Sequence, residues 1–112
     1  MENLANKKCV PCEGGVPSLK DEEVKEFITK VVGWNLEEED GHKQISKTFK
    51  FKNFRESLDF VNTVGKIAEG EGHHPDIHIH YNRVTLVNYT HAISGLHEND
   101  FILAAKIDEI KA

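Results

Sequence analysis

The sequence predicts an α+β domain with the element order α-β-β-α-β-β-α: a four-stranded antiparallel sheet with three helices on one face. Apolar residues recur at helical spacing in three stretches of the 112-residue chain and alternate with period two in the stretches between them. Tight-turn residues separate the members of each strand pair, so each pair reads as a hairpin. A 38% hydrophobic and 29% charged composition belongs to one globular domain, long enough to bury a core without staples.

Residues 1–17, rich in Gly, Pro, Lys and Asn, read as a flexible tail, and residues 18–112 as the single domain. Ser18-Leu19-Lys20-Asp21 is a capping-box pattern, followed at helical spacing by Val24, Phe27, Ile28 and Val31, and the helix should end near Gly33. Trp34 to Glu39 reads as a short strand and Asp40-Gly41 as a hairpin turn. The return strand runs from about Lys43 to Lys52, with Ile45, Lys47, Phe49 and Phe51 on one side. Asn53-Phe54-Arg55-Glu56 opens a second helix whose stripe is Phe54, Leu58, Val61, Gly65 and Ala68, widened by Phe60, Val64 and Ile67. Gly70 and Gly72 stop it. Strands follow at about Ile77–Asn82 and Val84–Thr90, joined around Asn82-Arg83. Gly95 breaks the chain, and a final helix carries Leu103, Ala104, Ile107 and Ile110 on one face. Such a sheet leaves two edges and a second face, which subunit pairing usually covers, so a homodimer or larger assembly is expected.

The net charge of −5 and the lack of any basic cluster argue against nucleic-acid or membrane partners. Met1-Glu2-Asn3-Leu4 lacks the basic and apolar regions of a secretory signal, and no apolar stretch approaches the roughly 20 residues that span a bilayer. A cytoplasmic location is expected. Cys9-Val10-Pro11-Cys12 follows no strand and has no second cysteine pair, so it reads as two reduced thiols in a solvated tail rather than a redox motif or a shared metal half-site. The Asn88-Tyr89-Thr90 sequon is idle in such a setting.

Six of the seven histidines fall between residues 73 and 97. Histidine exchanges a proton near neutral pH, so this density points to proton-transfer chemistry or a metal. Gly70 and Gly72 place His73-His74 just past a helix end, and Pro75 pushes His74 toward extended geometry, so the two rings should serve different roles. The tight hairpin that follows returns the chain, bringing His91 at the end of the fourth strand back beside the start of the third. Two imidazoles facing a cleft suit a reaction needing one acid and one base, typically worth about 10²–10⁴-fold each. The bland alternative is that His73 and His74 cap a turn and His91 is an interface residue. His78 and His80, two apart on one strand face, could chelate zinc with a third imidazole, or serve as polar-face residues opposite Ile77, Ile79 and Tyr81.

Glu69, His73-His74-Pro75, Tyr81-Asn82, Thr90-His91, Gly95-Leu96 and Asp100, in this order and spacing, resemble the pterin-4a-carbinolamine dehydratases, with Gly33-Trp34 and Phe49-Lys50-Phe51 fitting upstream. The resemblance covers about residues 18–110. It implies the same α+β fold, dimers or tetramers, and a hydro-lyase that removes water from a 4a-hydroxytetrahydropterin to give the quinonoid dihydropterin, with no metal or organic cofactor. It further implies His73 and His91 as the acid/base pair and His74 as a pterin holder. Glu69 would orient an imidazole or bind a ring N–H, and Pro75, Tyr81 and Asp100 fall at the family's substrate-site positions. Asp100 reads equally as a carboxylate stabilising the start of the last helix. His97 stands where Ser or Thr often caps that helix, which leaves the capping box incomplete. Because vertebrate relatives also pair with a transcription factor, a non-catalytic dimerisation module is the alternative reading.

Overall fold

A computed structural model describes residues 4–7, 9, 18–39, 41–90, 93 and 95–110. Its elements are α1 (Asp21–Ile28), β1 (Asn35–Glu39), β2 (His42–Lys50), α2 (Phe54–Glu71), β3 (Asp76–His80), β4 (Arg83–Asn88) and α3 (Glu98–Asp108), with a 3-10 turn at Leu4–Asn6. The expected element order holds.

The strands form one antiparallel sheet in the order β1-β2-β4-β3. In the register, Phe49 lies opposite Val84, Lys47 opposite Leu86 and Ile45 opposite Asn88, and Ile77 and Ile79 follow on the same face from β3. That face meets the helices. Ile45, Val84 and Leu86 are buried against Val24 of α1, Phe60 and Val64 of α2, and Phe101, Leu103 and Ile107 of α3. Each such side chain contributes about 1.5–3 kcal/mol by leaving water. The other face carries Thr48, Lys50, Asp76, His78, His80, Arg83 and Thr85, a polar row set by the period of two.

Several boundaries differ from expectation, each for a local reason. The N-cap of α1 is Lys20 rather than Ser18. The lysine side chain has no lone pair to offer, so only half of the cap forms: Glu23 accepts from the Lys20 N–H at 3.0 Å. The β3–β4 turn is Tyr81-Asn82, one residue earlier than expected, with Tyr81 in the left-handed region at φ 50°. Gly70 lies inside α2, and Gly72 alone terminates it, at φ 66°. α3 is buried almost all round, with Asn99 to Leu103 and Ile107 inside, rather than on one face.

Part of the segment expected to be a solvated tail is docked. Leu4 is 5% exposed and belongs to the core, and Cys9 is half-buried against the start of α3. Burial, and then the Glu71 charge, push the Cys9 thiol up to about 12. Cys12 and Asp40 lie outside the described residues.

Candidate active site at the facing ends of two helices

The site starts with how α2 ends. Gly72 takes the left-handed conformation that L side chains avoid, and its N–H donates to the Glu69 carbonyl at 3.3 Å. The next N–H, that of His73, donates to the Ala68 carbonyl at 3.2 Å. This pair of bonds is a Schellman cap, so His73 is itself a capping residue whose backbone is fixed by the helix. The negative end of the α2 dipole therefore lies beside the His73 and His74 rings and complements positive charge on them.

α3 begins opposite. His97 is its N-cap, and its ring Nδ1 accepts from the Asn99 N–H at 3.1 Å. The expected incompleteness of this cap is corrected: an imidazole nitrogen supplies the lone pair that a hydroxyl would. Asp100 closes the reciprocal half by accepting from the His97 N–H at 2.9 Å.

The two helix ends meet through Asp100, whose side chain is fully buried. Its Oδ1 lies 2.6 Å from His73 Nε2, and its Oδ2 accepts from both the Thr90 hydroxyl and the His97 N–H at 2.9 Å. A buried carboxylate without partners would be strongly disfavoured, and these donors, together with the positive end of α3, offset that penalty. A carboxylate only accepts, so His73 Nε2 carries the proton toward Asp100. The His73 side chain is only 11% exposed. Its ring is therefore held at a set angle by a third group, the arrangement in which an imidazole works as a general acid or base.

His74 forms the outer counterpart. Its Nε2 lies 2.6 Å from Glu69 Oε1, one turn back on α2, but the side chains are 58% and 80% exposed. Such an exposed pair is accessible from solvent. Glu69 also borders an open groove of about 740 Å³ lined by Val61, Asn62, Gly65, Lys66 and Ile77. Pro75 is half-buried between this corner and β3.

The structure thus brings together His73, His74, Glu69, Pro75 and Asp100. His91 lies outside the described residues. Both ends of its loop are placed, however: Thr90 and Gly95 bridge each other, with the Thr90 N–H donating to the Gly95 carbonyl at 2.8 Å, and Thr90 also binds Asp100. Tyr81 is not brought to this corner within one chain. It sits 66% exposed at the far end of β3, a five-residue strand that spans about 17 Å at the usual rise. His78 and His80 point to the polar sheet face, opposite Thr85 and Arg83. Two contributors were missed by sequence reasoning. The Thr90 hydroxyl was legible only as the residue before His91, and buried Asn88, whose Nδ2 donates to the Asp100 carbonyl at 3.3 Å, gave no signal in the sequence.

A family model described as pterin 4 alpha carbinolamine dehydratase matches residues 17–110. Two bacterial relatives, from Rubrobacter xylanophilus and Methylococcus capsulatus, are each 47% identical over 110 residues. The match covers 98% of this chain and 100% and 95% of theirs, and both carry the name "Putative pterin-4-alpha-carbinolamine dehydratase". Among solved structures, a transcriptional coactivator/pterin dehydratase from Brucella melitensis superposes with a TM-score of 0.73 at 33% identity, covering 81% of this chain and 95% of that one. A pterin dehydratase-like RuBisCO assembly factor of the alpha-carboxysome shares the fold, with a TM-score of 0.58 at 21% identity over 68% of this chain and 86% of that one. Among the described residues, no helix is long and apolar enough to cross a membrane. With the family model covering nearly the whole domain and the close relatives matching end to end, the chain belongs to the pterin 4 alpha carbinolamine dehydratase family.

Proposed function

We propose that this protein dehydrates a 4a-hydroxytetrahydropterin to the quinonoid dihydropterin and water by histidine acid/base catalysis, supporting pterin cofactor recycling. The observation that carries the reading is the His73–Asp100 pair, an imidazole locked by a buried carboxylate at the joint of two helix ends. In the reaction one group protonates the C4a hydroxyl, which leaves as water, while another takes the N5 proton as the C4a=N5 double bond forms. No electrons are exchanged, so proton relays suffice and no organic cofactor is called for. His73 and His91 fill the two roles, and His74, backed by Glu69, holds the ring system. Membership in the family and the names of the relatives support this chemistry.

Stopped-flow formation of the quinonoid product tests it. His73→Ala and His91→Ala should each lower the rate by about 10²–10⁴-fold. Wild-type rates in both variants would sink the proposal.

A non-catalytic partner-binding role is the second reading, prompted by the coactivator in the name of the Brucella structure. A stable stoichiometric partner recovered with a protein inactive on the pterin would favour it. Assembly as a homodimer or homotetramer fits the apolar side chains left on the outside of α2, where Phe54 and Leu58 are 45% and 40% exposed. Sedimentation of the wild type beside Phe54→Glu tests that contact.

A further inference from the structure

The helix ends that carry His73 and Asp100 are joined a second time, by a segment far from both in sequence. Leu4, in the 3-10 turn, is buried in the core. Lys7 Nζ lies 2.6 Å from Glu98 Oε2, at the first residue of α3. The Cys9 N–H donates to Glu71 Oε1 at 2.8 Å, at the last residue of α2, and the Cys9 thiol donates to the Asn99 carbonyl at 3.6 Å. The other oxygen of Glu71 faces Lys106 of α3 at 3.8 Å. Glu71 is two residues before His73, and Glu98 and Asn99 immediately precede Asp100.

These contacts span the same gap as the His73–Asp100 hydrogen bond. That bond is short, at 2.6 Å. Hydrogen bonds weaken beyond about 3.2 Å, so a drift of about 0.6 Å between the helix ends would be enough to loosen it. The Schellman cap orients His73 on α2 and the capping box orients Asp100 on α3, but neither sets the separation of the two helices at this point. Leu4, Lys7 and Cys9 add anchors on both, beside the direct Glu71–Lys106 contact. The Cys9 thiol, kept protonated by burial and by Glu71, remains a donor to Asn99 across the neutral range.

We propose that Leu4, Lys7 and Cys9 act as a positioning clamp that fixes the gap between the end of α2 and the first turn of α3, and with it the His73–Asp100 geometry. The inference rests on the dehydratase reading for its effect on rate, but not for its effect on that hydrogen bond.

The test uses the full chain with Leu4→Ala, Glu71→Ala, both together, and Glu71→Gln, which keeps an oxygen for the Cys9 N–H. Three quantities are read: kcat and KM for the pterin carbinolamine, the thermal midpoint, and the proton resonance of His73 Nε2–H in ¹⁵N-labelled protein. Each alanine variant should lower kcat about tenfold with KM within about twofold, because misplacement weakens chemistry more than binding. The His73 resonance should broaden or vanish with it. The double variant should be no slower than the slower single one, since both release the same clamp. Glu71→Gln should recover most of the rate and the resonance. An unchanged His73 resonance and kcat in Glu71→Ala would overturn the proposal, as would a lowered thermal midpoint with kcat intact. If Leu4→Ala does not fold, the two Glu71 variants decide alone. If the wild type lacks dehydratase activity, the resonance still decides the clamp, so the two readings fail separately.

Discussion

Asp100→Asn is the most informative single change, because it keeps the shape of the side chain and alters only what it can accept. Oδ2 takes two bonds at 2.9 Å, from Thr90 and the His97 N–H, and the asparagine carbonyl can keep both. Each loses its charge assistance, a difference of about 1 kcal/mol between charged and neutral acceptors. The amide nitrogen then takes the place of Oδ1, 2.6 Å from His73 Nε2. It donates where the carboxylate accepted, so the imidazole must present a lone pair there and move its proton to Nδ1. The total comes to about 2–3 kcal/mol, against the roughly 5–15 kcal/mol that holds a domain folded. The variant should therefore fold, with a thermal midpoint lower by about 10 °C. The ring, however, now carries its proton on the wrong nitrogen, and the dehydration rate should fall by about 10²–10⁴-fold. Stopped-flow product formation beside a thermal melt separates the two effects. A folded Asp100→Asn protein that keeps its rate within about threefold would refute the assignment of Asp100 as the residue that orients a catalytic His73.

Other predictions concern the surrounding architecture. Gly72→Ala places a Cβ that meets nothing within 4 Å but holds it at φ 66°, so backbone strain alone should lower stability by about 1 kcal/mol in a thermal melt. Glu69→Gln removes the charge from an exposed pair, so stability should move by less than about 0.5 kcal/mol, while KM for the pterin rises in steady-state assays. The raised Cys9 thiol makes a pH prediction. A group whose pKa is higher folded than unfolded supports the fold below its unfolded value and withdraws that support as pH climbs toward the folded one. Denaturant midpoints should thus fall between pH 9 and about 12, and Cys9→Ser should flatten that fall. The folded protein should also resist alkylation at Cys9 at pH 8.

The fold was legible wherever one face of an element is buried. The Ile45 and Phe49 alternation and the Asn53 cap, which accepts from Glu56 N–H at 2.9 Å, were readable because local pattern and tertiary burial agree there. The expected α2 stripe is corrected: Ala68 is buried with Phe60 and Val64, while Phe54 and Leu58 stay exposed, since the helix is rotated to set the widening residues against the sheet. β1 was legible only through its hairpin turn, since Asn35 to Glu39 are all exposed. Leu4 could not be told from a residue of a solvated tail, because one leucine among polar neighbours has no period. The His97 cap escaped because imidazole seldom serves as an N-cap acceptor. At the site, the corner at His73-His74-Pro75 followed from glycine and proline positions. The partners of the two rings did not: that Asp100 meets His73, and Thr90 meets Asp100, depends on how α2 and α3 cross, which no local pattern encodes. Family resemblance, rather than residue chemistry, pointed to Asp100 and Glu69.

Because one carboxylate both founds α3 and aims His73, evolution cannot retune the two independently. A lineage drifting toward a purely scaffolding role could lose His73 cheaply and would still be expected to keep the acid at position 100. Conversely, a library seeking new chemistry at this corner should leave that acid fixed and vary what the ring faces. The acid would thus outlast the activity, making its retention a poor marker of a working enzyme and the ring itself a better one.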